Sequence, residues 1–291
     1  GHHLHLHSSP TRRSSDLDLW ADPGLFQVDS DLNLIDVAGC PPDYFAPLGQ
    51  LWGNPLFDWP RHQTSGFDWW IRRLRHAGRF LDIVRIDHFR GFESYYAIPA
   101  GHKTAEFGEW RPGPGLILIE ALKSNLPGMG IIAEDLGLIT PEVRNMLDQS
   151  GYPGMRVLQF AFDSRAGNEY LPYNYPFNTV VYTGTHDNTT TSDWQSISAP
   201  ETVRFARQYL DSETTGDLTW KLIRAAMAST ADTCIVPMQD YLQLGAEARM
   251  NTPGTSEGNW RWRVEHTALR PDLAKKIRHL AELYGRIHPA G

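Results

Sequence analysis

Short apolar runs rich in branched side chains recur between stretches of helical period: LDIVRID at 81 to 87, GIIAED at 130 to 135, MRVLQFAF at 155 to 162 and NTVVYTG at 178 to 184. Each reads as a buried strand. The helical stretches are FDWWIRRLRHAG at 67 to 78, PGLILIEALKSN at 114 to 125 and TPEVRNMLDQSG at 140 to 151. In the last, Thr140 is the expected N-cap, Pro141 takes the first helical position and Gly151 is the stop. Strand alternating with helix restricts the chain to an α/β fold with a parallel sheet, either open and doubly wound or closed as a barrel. TCIVPMQDY at 233 to 241 is a fifth strand candidate, weakened by Pro237, which cannot donate to a central ladder.

Acidic residues close these runs. Asp87 follows LDIVRI, Glu134 and Asp135 follow GIIA, and Asp187 lies just beyond TVVYTG. In a barrel the carboxyl ends of the strands share one face, where sites are assembled from several strands at once. No GxGxxG follows a strand and no GxxxxGK[ST] occurs, so the phosphate cradles of a doubly wound nucleotide binder are missing. The barrel is therefore favoured, and the acids are far enough apart for at least one βα unit of about 30 residues between each pair. One compact unit is expected from Asp18 onward, since no solenoid repeat, low-complexity linker or long charge block interrupts it.

The 291 residues are enough for one large domain or two modest ones, and 41% hydrophobic with 21% charged residues is a globular composition. No run of about 18 apolar residues is available to cross a bilayer. The net charge of −7 works against a nucleic-acid phosphate track and points to a neutral or cationic ligand. Cys40 and Cys234 are the only cysteines, without CxxC or Cys/His ligand spacing, so neither a disulfide framework nor a metal site is indicated and a cytoplasmic setting is expected. No cofactor is called for. Ten tryptophans, eleven tyrosines and twelve phenylalanines offer flat faces for sugar rings, although such residues are more often core.

Carboxyls sharing one cleft cannot all ionise at equal cost, so their environments separate them into acid, nucleophile and stabiliser. Cleavage of a glycosidic bond needs this division: one group stays protonated for the leaving oxygen, while another stays charged to attack the anomeric carbon. Arg85, two residues before Asp87, shares its strand face and holds it ionised, which makes Asp87 the nucleophile on charge logic. The competing reading, strand-end acids that cap helices or bind metal, is the commoner one for any single acid, and three acids together with Arg85 and His186 weigh against it.

The segments RIDHFRG at 85 to 91, AEDLG at 133 to 137 and GTHDN at 184 to 188 resemble the catalytic strand ends of the 4-alpha-glucanotransferases, or amylomaltases, of glycoside hydrolase family 77 within the alpha-amylase clan. PPDYF at 41 to 45, GQLWGNP at 49 to 55, and NTPGT with NWRWR between 251 and 263 resemble the narrower family. The resemblance runs from Asp18 to the C-terminus. It implies Asp87 as nucleophile, Glu134 as general acid/base and Asp187 as the carboxylate that binds donor hydroxyls and stabilises the transition state. It further implies Arg85 and His186 orienting the nucleophile and contacting the donor sugar, with Trp52, Asn54, Asp43 and Tyr44 lining the glucan groove; His88 is counted with the substrate-binding residues, the alternative being a histidine that faces a neighbouring loop. Malto-oligosaccharides or longer glucans would serve as donor and acceptor, with no nucleic acid or membrane partner. An alpha-glucan hydrolase of the same clan and an inactive glucan-binding fragment are the competing functions.

The first seventeen residues fit none of this. GHHLHLH has four histidines without period, and PTRRSSDL at 10 to 17 reads as the translation of the adapter-like string CCTACACGACGCTCTTCCGATCT, so a non-native tail is expected. By the resemblance, DLWADP at 18 to 23 lies at or just after the third barrel strand. The expectation is an incomplete (β/α)8 TIM barrel holding strands four to eight, with two open edges, poor stability and little activity.

Overall fold

The structure is a computed structural model that describes residues 14–42, 46–163, 168–212, 215–255 and 257–287. Its backbone contacts form two compact units that meet in sequence at Pro153 and Gly154, and each is described by itself.

The first unit opens with helix α1 (Ser14–Ala21), which takes in the last residues of the expected tail. Strands β1 (Asp36–Cys40) and β2 (Gln50–Pro55), helices α2 (Trp59–Thr64) and α3 (Asp68–Ala77), and strands β3 (Ile83–Ile86), β4 (Ser94–Pro99) and β5 (Glu109–Pro112) follow. Helix α4 (Leu116–Asn125), strand β6 (Gly130–Ala133) and helix α5 (Pro141–Ser150) complete it. β3 and β6 pair in parallel from Ile83↔Gly130 to Ile86↔Ala133. Phe67, directly before α3, and Ile71 and Leu74 within it recur at helical spacing and are buried with Leu118, Ile119 and Leu122 of α4 and Met146 of α5 around Ile86, Ile131 and Ala133. Burial of each large side chain contributes about 1.5–3 kcal/mol. The α5 punctuation is as expected: Thr140 Oγ1 accepts from Val143 N at 3.4 Å, and Gly151 stands in the left-handed region at φ 65°.

An antiparallel sheet in the order β2-β1-β4-β5 was not anticipated from the strand pattern. It carries the GQLWGNP segment on β2, with β1 against β4 from Asp36↔Pro99 to Gly39↔Tyr96. A register shift lies between Val37 and Gly39 on the β2 side. Three of its four strands end on proline, where a missing donor stops the ladder.

The second unit holds β7 (Gly154–Val157), β8 (Thr179–Tyr182), α6 (Thr191–Ile197), α7 (Pro200–Leu210), α8 (Thr215–Ala228), β9 (Thr233–Ile235), α9 (Met238–Tyr241) and α10 (Pro271–Leu283). β7, β8 and β9 form a parallel sheet in that order. Leu218, Leu222 and Ala226 of α8 are buried with Leu158, Phe162, Val181 and Trp194, while Ile223 and Met227 are buried with Leu280 of α10.

Two strand expectations are corrected. The run MRVLQFAF is a strand only to Val157; Leu158–Phe160 form a 3₁₀ turn, because Leu158, Ala161 and Phe162 are all buried and a two-residue period cannot turn them to one side. TCIVPMQDY is a strand only to Ile235; Pro237 ends the ladder and Met238–Tyr241 is helical. Among the described residues no helix is long and apolar enough to cross a membrane.

Candidate active site

In the first unit, the register that pairs Ile86 with Ala133 carries the next residues, Asp87 and Glu134, off neighbouring strand ends together. Glu134 N donates to Ile86 O at 2.9 Å and Phe89 N to Glu134 O at 3.0 Å, so the pairing runs past the strands. Arg85 sits one strand period before Asp87, and its Nη2 donates to Asp87 Oδ1 at 3.3 Å, as expected from the sequence.

Glu134 is 9% exposed. Each of its carboxylate oxygens meets a backbone donor: His88 N at 2.6 Å on Oε2 and Leu136 N at 3.0 Å on Oε1. Burial raises its proton affinity, and the charge of Arg85, the two backbone N–H groups and a hydrogen bond with the Asp87 side chain oppose that rise without reversing it. One carboxyl is thus held by arginine while its neighbour is pushed towards the protonated form. A raised proton affinity is what a general acid requires.

His88 delivers its N–H from a left-handed backbone, φ 46°, an uncommon conformation for a residue with a Cβ. Its ring meets Trp52 of β2 edge-on, centroids 4.7 Å apart at 84°. Among the described residues its buried Nε2 has no hydrogen-bond partner, and burial, assisted by the Arg90 charge, drives its pKa down to about 4. The ring is therefore neutral at physiological pH. Trp52 Nε1 donates to Gln50 Oε1 at 3.1 Å; Asn54, on the same strand, has a buried Oδ1 without a partner among the described residues. Asp43 and Tyr44 lie outside the described residues.

The second unit carries the other expected group. Between β8 and α6, His186 Nε2 approaches Asp187 Oδ2 at 3.3 Å. Asn251 Nδ2 donates to Asp187 Oδ1 at 2.6 Å, Arg249 Nη2 donates to the Asp187 carbonyl at 2.7 Å, and Asn251 N donates to the His186 carbonyl at 3.1 Å. Trp260 lies against the His186 ring at 5.2 Å. Asn251 opens the NTPGT segment and Trp260 belongs to NWRWR, so the sequence carried their signal; Arg249 and the buried Asp240 had none. Among the described residues no group of three or more His, Cys, Asp or Glu is placed to hold a metal ion.

The structure therefore brings Arg85, Asp87, His88 and Glu134 together in the first unit, with Trp52 against His88, and His186 with Asp187 in the second. The sequence profile of a family described as 4-alpha-glucanotransferase matches residues 11–268. The 4-alpha-glucanotransferase of Synechocystis is 50% identical over 275 residues, covering 92% of this chain and 54% of that protein. The Clostridium butyricum 4-alpha-glucanotransferase is 42% identical, with 56% of its length covered. Among solved structures, the amylomaltase from Streptococcus agalactiae in complex with acarbose matches with a TM-score of 0.89 at 37% identity, over 94% of this chain and 55% of that one. The chain spans about half the length of these relatives, and within that span it belongs to the 4-alpha-glucanotransferases, glycoside hydrolase family 77.

Proposed function

We propose that the chain carries the catalytic residues of a 4-alpha-glucanotransferase, which moves alpha-1,4-glucan segments between malto-oligosaccharides through a covalent glycosyl-enzyme. The observation that carries this reading is the Asp87–Glu134 pair, one carboxyl held by Arg85 and the other raised in proton affinity by burial. In the first step, Asp87 Oδ forms a bond to the anomeric carbon as the glycosidic C–O bond breaks, and Glu134 gives its proton to the leaving oxygen. In the second, ionised Glu134 takes the proton of an incoming 4-hydroxyl as that oxygen displaces Asp87. Asp187 binds donor hydroxyls and stabilises the developing positive charge, with His186 and Arg85 beside the donor sugar. Trp52, Asn54, Asp43, Tyr44 and His88 shape the glucan groove.

We also read β3, β6, β7, β8 and β9 as strands four to eight of a (β/α)8 barrel of the alpha-amylase clan. Their parallel pairing and the acids after β3, β6 and β8 support that reading. We keep a cytoplasmic setting in the same reading, from a sequence whose two cysteines, Cys40 and Cys234, have no CxxC spacing.

The test is incubation with maltotriose and separation of the products by size, beside Asp87→Asn. Glucose together with oligomers longer than the substrate, abolished in the variant, is the expected result. Shorter products alone would turn the reading to hydrolysis, and a ladder that survives Asp87→Asn would remove Asp87 as nucleophile.

A further inference from the structure

The segment that leaves β8 and enters α6 carries His186 and Asp187, and both of its ends are tied to a single side chain. Thr183 Oγ1 donates to Asp240 Oδ2 at 2.5 Å, Thr191 Oγ1 donates to the same oxygen at 2.8 Å, and Thr191 N donates to Oδ1 at 2.7 Å. Asp240 is 1% exposed, and Thr183 and Thr191 are equally buried. Among the described residues no cation pairs with Asp240, so the cost of burying this carboxyl is offset by those three donors. A cap for α6 would need only the Thr191 N–H. The bond to Thr183, across the whole loop, is what a cap leaves unexplained. Gln159 Nε2 adds a tie from within, donating to Thr189 O at 3.0 Å. The neighbour of Asp240 serves the other side of the same group: Gln239 Nε2 donates to Ala248 O at 3.2 Å, directly before Arg249 and Asn251, which grip Asp187.

We infer that Asp240 is a positioning residue for Asp187: the α9 turn clamps the 183–191 loop through Asp240 and the 246–251 segment through Gln239, and so sets where the Asp187 carboxylate points. The inference rests on the transferase reading for its catalytic consequence, although the clamp itself does not. Asp187 is assigned to the transition state, so a displaced loop costs turnover more than ground-state affinity.

The experiment compares wild type, Asp240→Ala, Asp240→Asn and Leu222→Ala, the last a core truncation in the same unit that controls for lost stability. With maltotriose, Asp240→Ala is expected to lower kcat about 100-fold with KM changed less than about threefold. Asp240→Asn, which keeps an acceptor for Thr191 N, should recover most of that loss. Deuterium uptake at amides 184–190 should rise in Asp240→Ala and not in Leu222→Ala. A kcat within about threefold of wild type, or a loss matched by Leu222→Ala at equal Tm, would overturn the inference. If Asp240→Ala does not fold, Thr183→Val and Thr183→Ser decide: the clamp requires kcat to fall with valine and return with serine, and a valine variant equal to wild type overturns it. If wild type makes no product, the transferase reading fails on its own, and unchanged loop uptake in Asp240→Ala, or in Thr183→Val where Asp240→Ala does not fold, would then sink the clamp.

Discussion

Burial acts in opposite senses on the two ionisable groups flanking the Asp87 backbone. It disfavours charge on both, so Glu134 holds its proton to higher pH while His88 gives its proton up until about pH 4. The consequences for stability have opposite signs. His88 is depressed below its ordinary value of 6.5, so its contribution is present above that pH and is lost as pH falls towards 4, on the order of 3 kcal/mol in full. Glu134 is raised, so its contribution is present at low pH and is lost as pH rises through its folded value. His88→Asn, which tolerates the left-handed backbone, removes the first contribution and leaves the second. Thermal melts from about pH 7 to 4 should therefore decline less steeply for His88→Asn than for wild type. Equal slopes would show that His88 protonates without penalty. None of this was legible in RIDHFRG: the acid at the strand end was, but the donors on Glu134 come from His88 and Leu136, and only the β3–β6 register brings His88 to it.

Among the elements, β3, β6, β7 and β8 and the helices α3, α4 and α5 followed from local period and punctuation, while the antiparallel sheet did not. Its strands DVAGC, QLWGNP and EWRP contain glycine, proline and charge, and β1 meets β4 across a long separation in sequence, Asp36↔Pro99. Gly39 shows how tightly that sheet is built. A Cβ there would stand 2.2 Å from the Gln50 carbonyl oxygen and 2.4 Å from Ile98 Cδ1, so backbone on one side and a fully buried side chain on the other leave it no room. Gly39→Ala should lower stability by about 1–3 kcal/mol. Because Trp52 lies on the paired strand β2, the His88–Trp52 contact should loosen as well, read as a change in tryptophan fluorescence. A variant with unchanged Tm would mean that the β1–β2 register shift absorbs the methyl group.

At the scale of the whole molecule, a net charge of −7 and the proposed glucan substrates, which carry no charge, make a further outcome specific. Transfer between neutral glucans has no long-range attraction to lose, so KM for maltotriose should change less than about twofold between 0.05 and 0.5 M salt. A steep dependence would point to a charged ligand instead. Side-chain period, caps and breakers are properties of neighbouring residues, so β3, β6, β7 and β8, the helices α3 to α5 and the acids that follow the strands could be read along the chain. Tertiary structure alone decided what those acids are: the proton affinity of Glu134, the neutrality of His88, and the grip of Asn251, Arg249 and the Asp240 clamp on the Asp187 loop. The physical reason is that desolvation and hydrogen bonding depend on groups close in space, and the partners of Asp187 and its loop lie some fifty to sixty residues away along the chain.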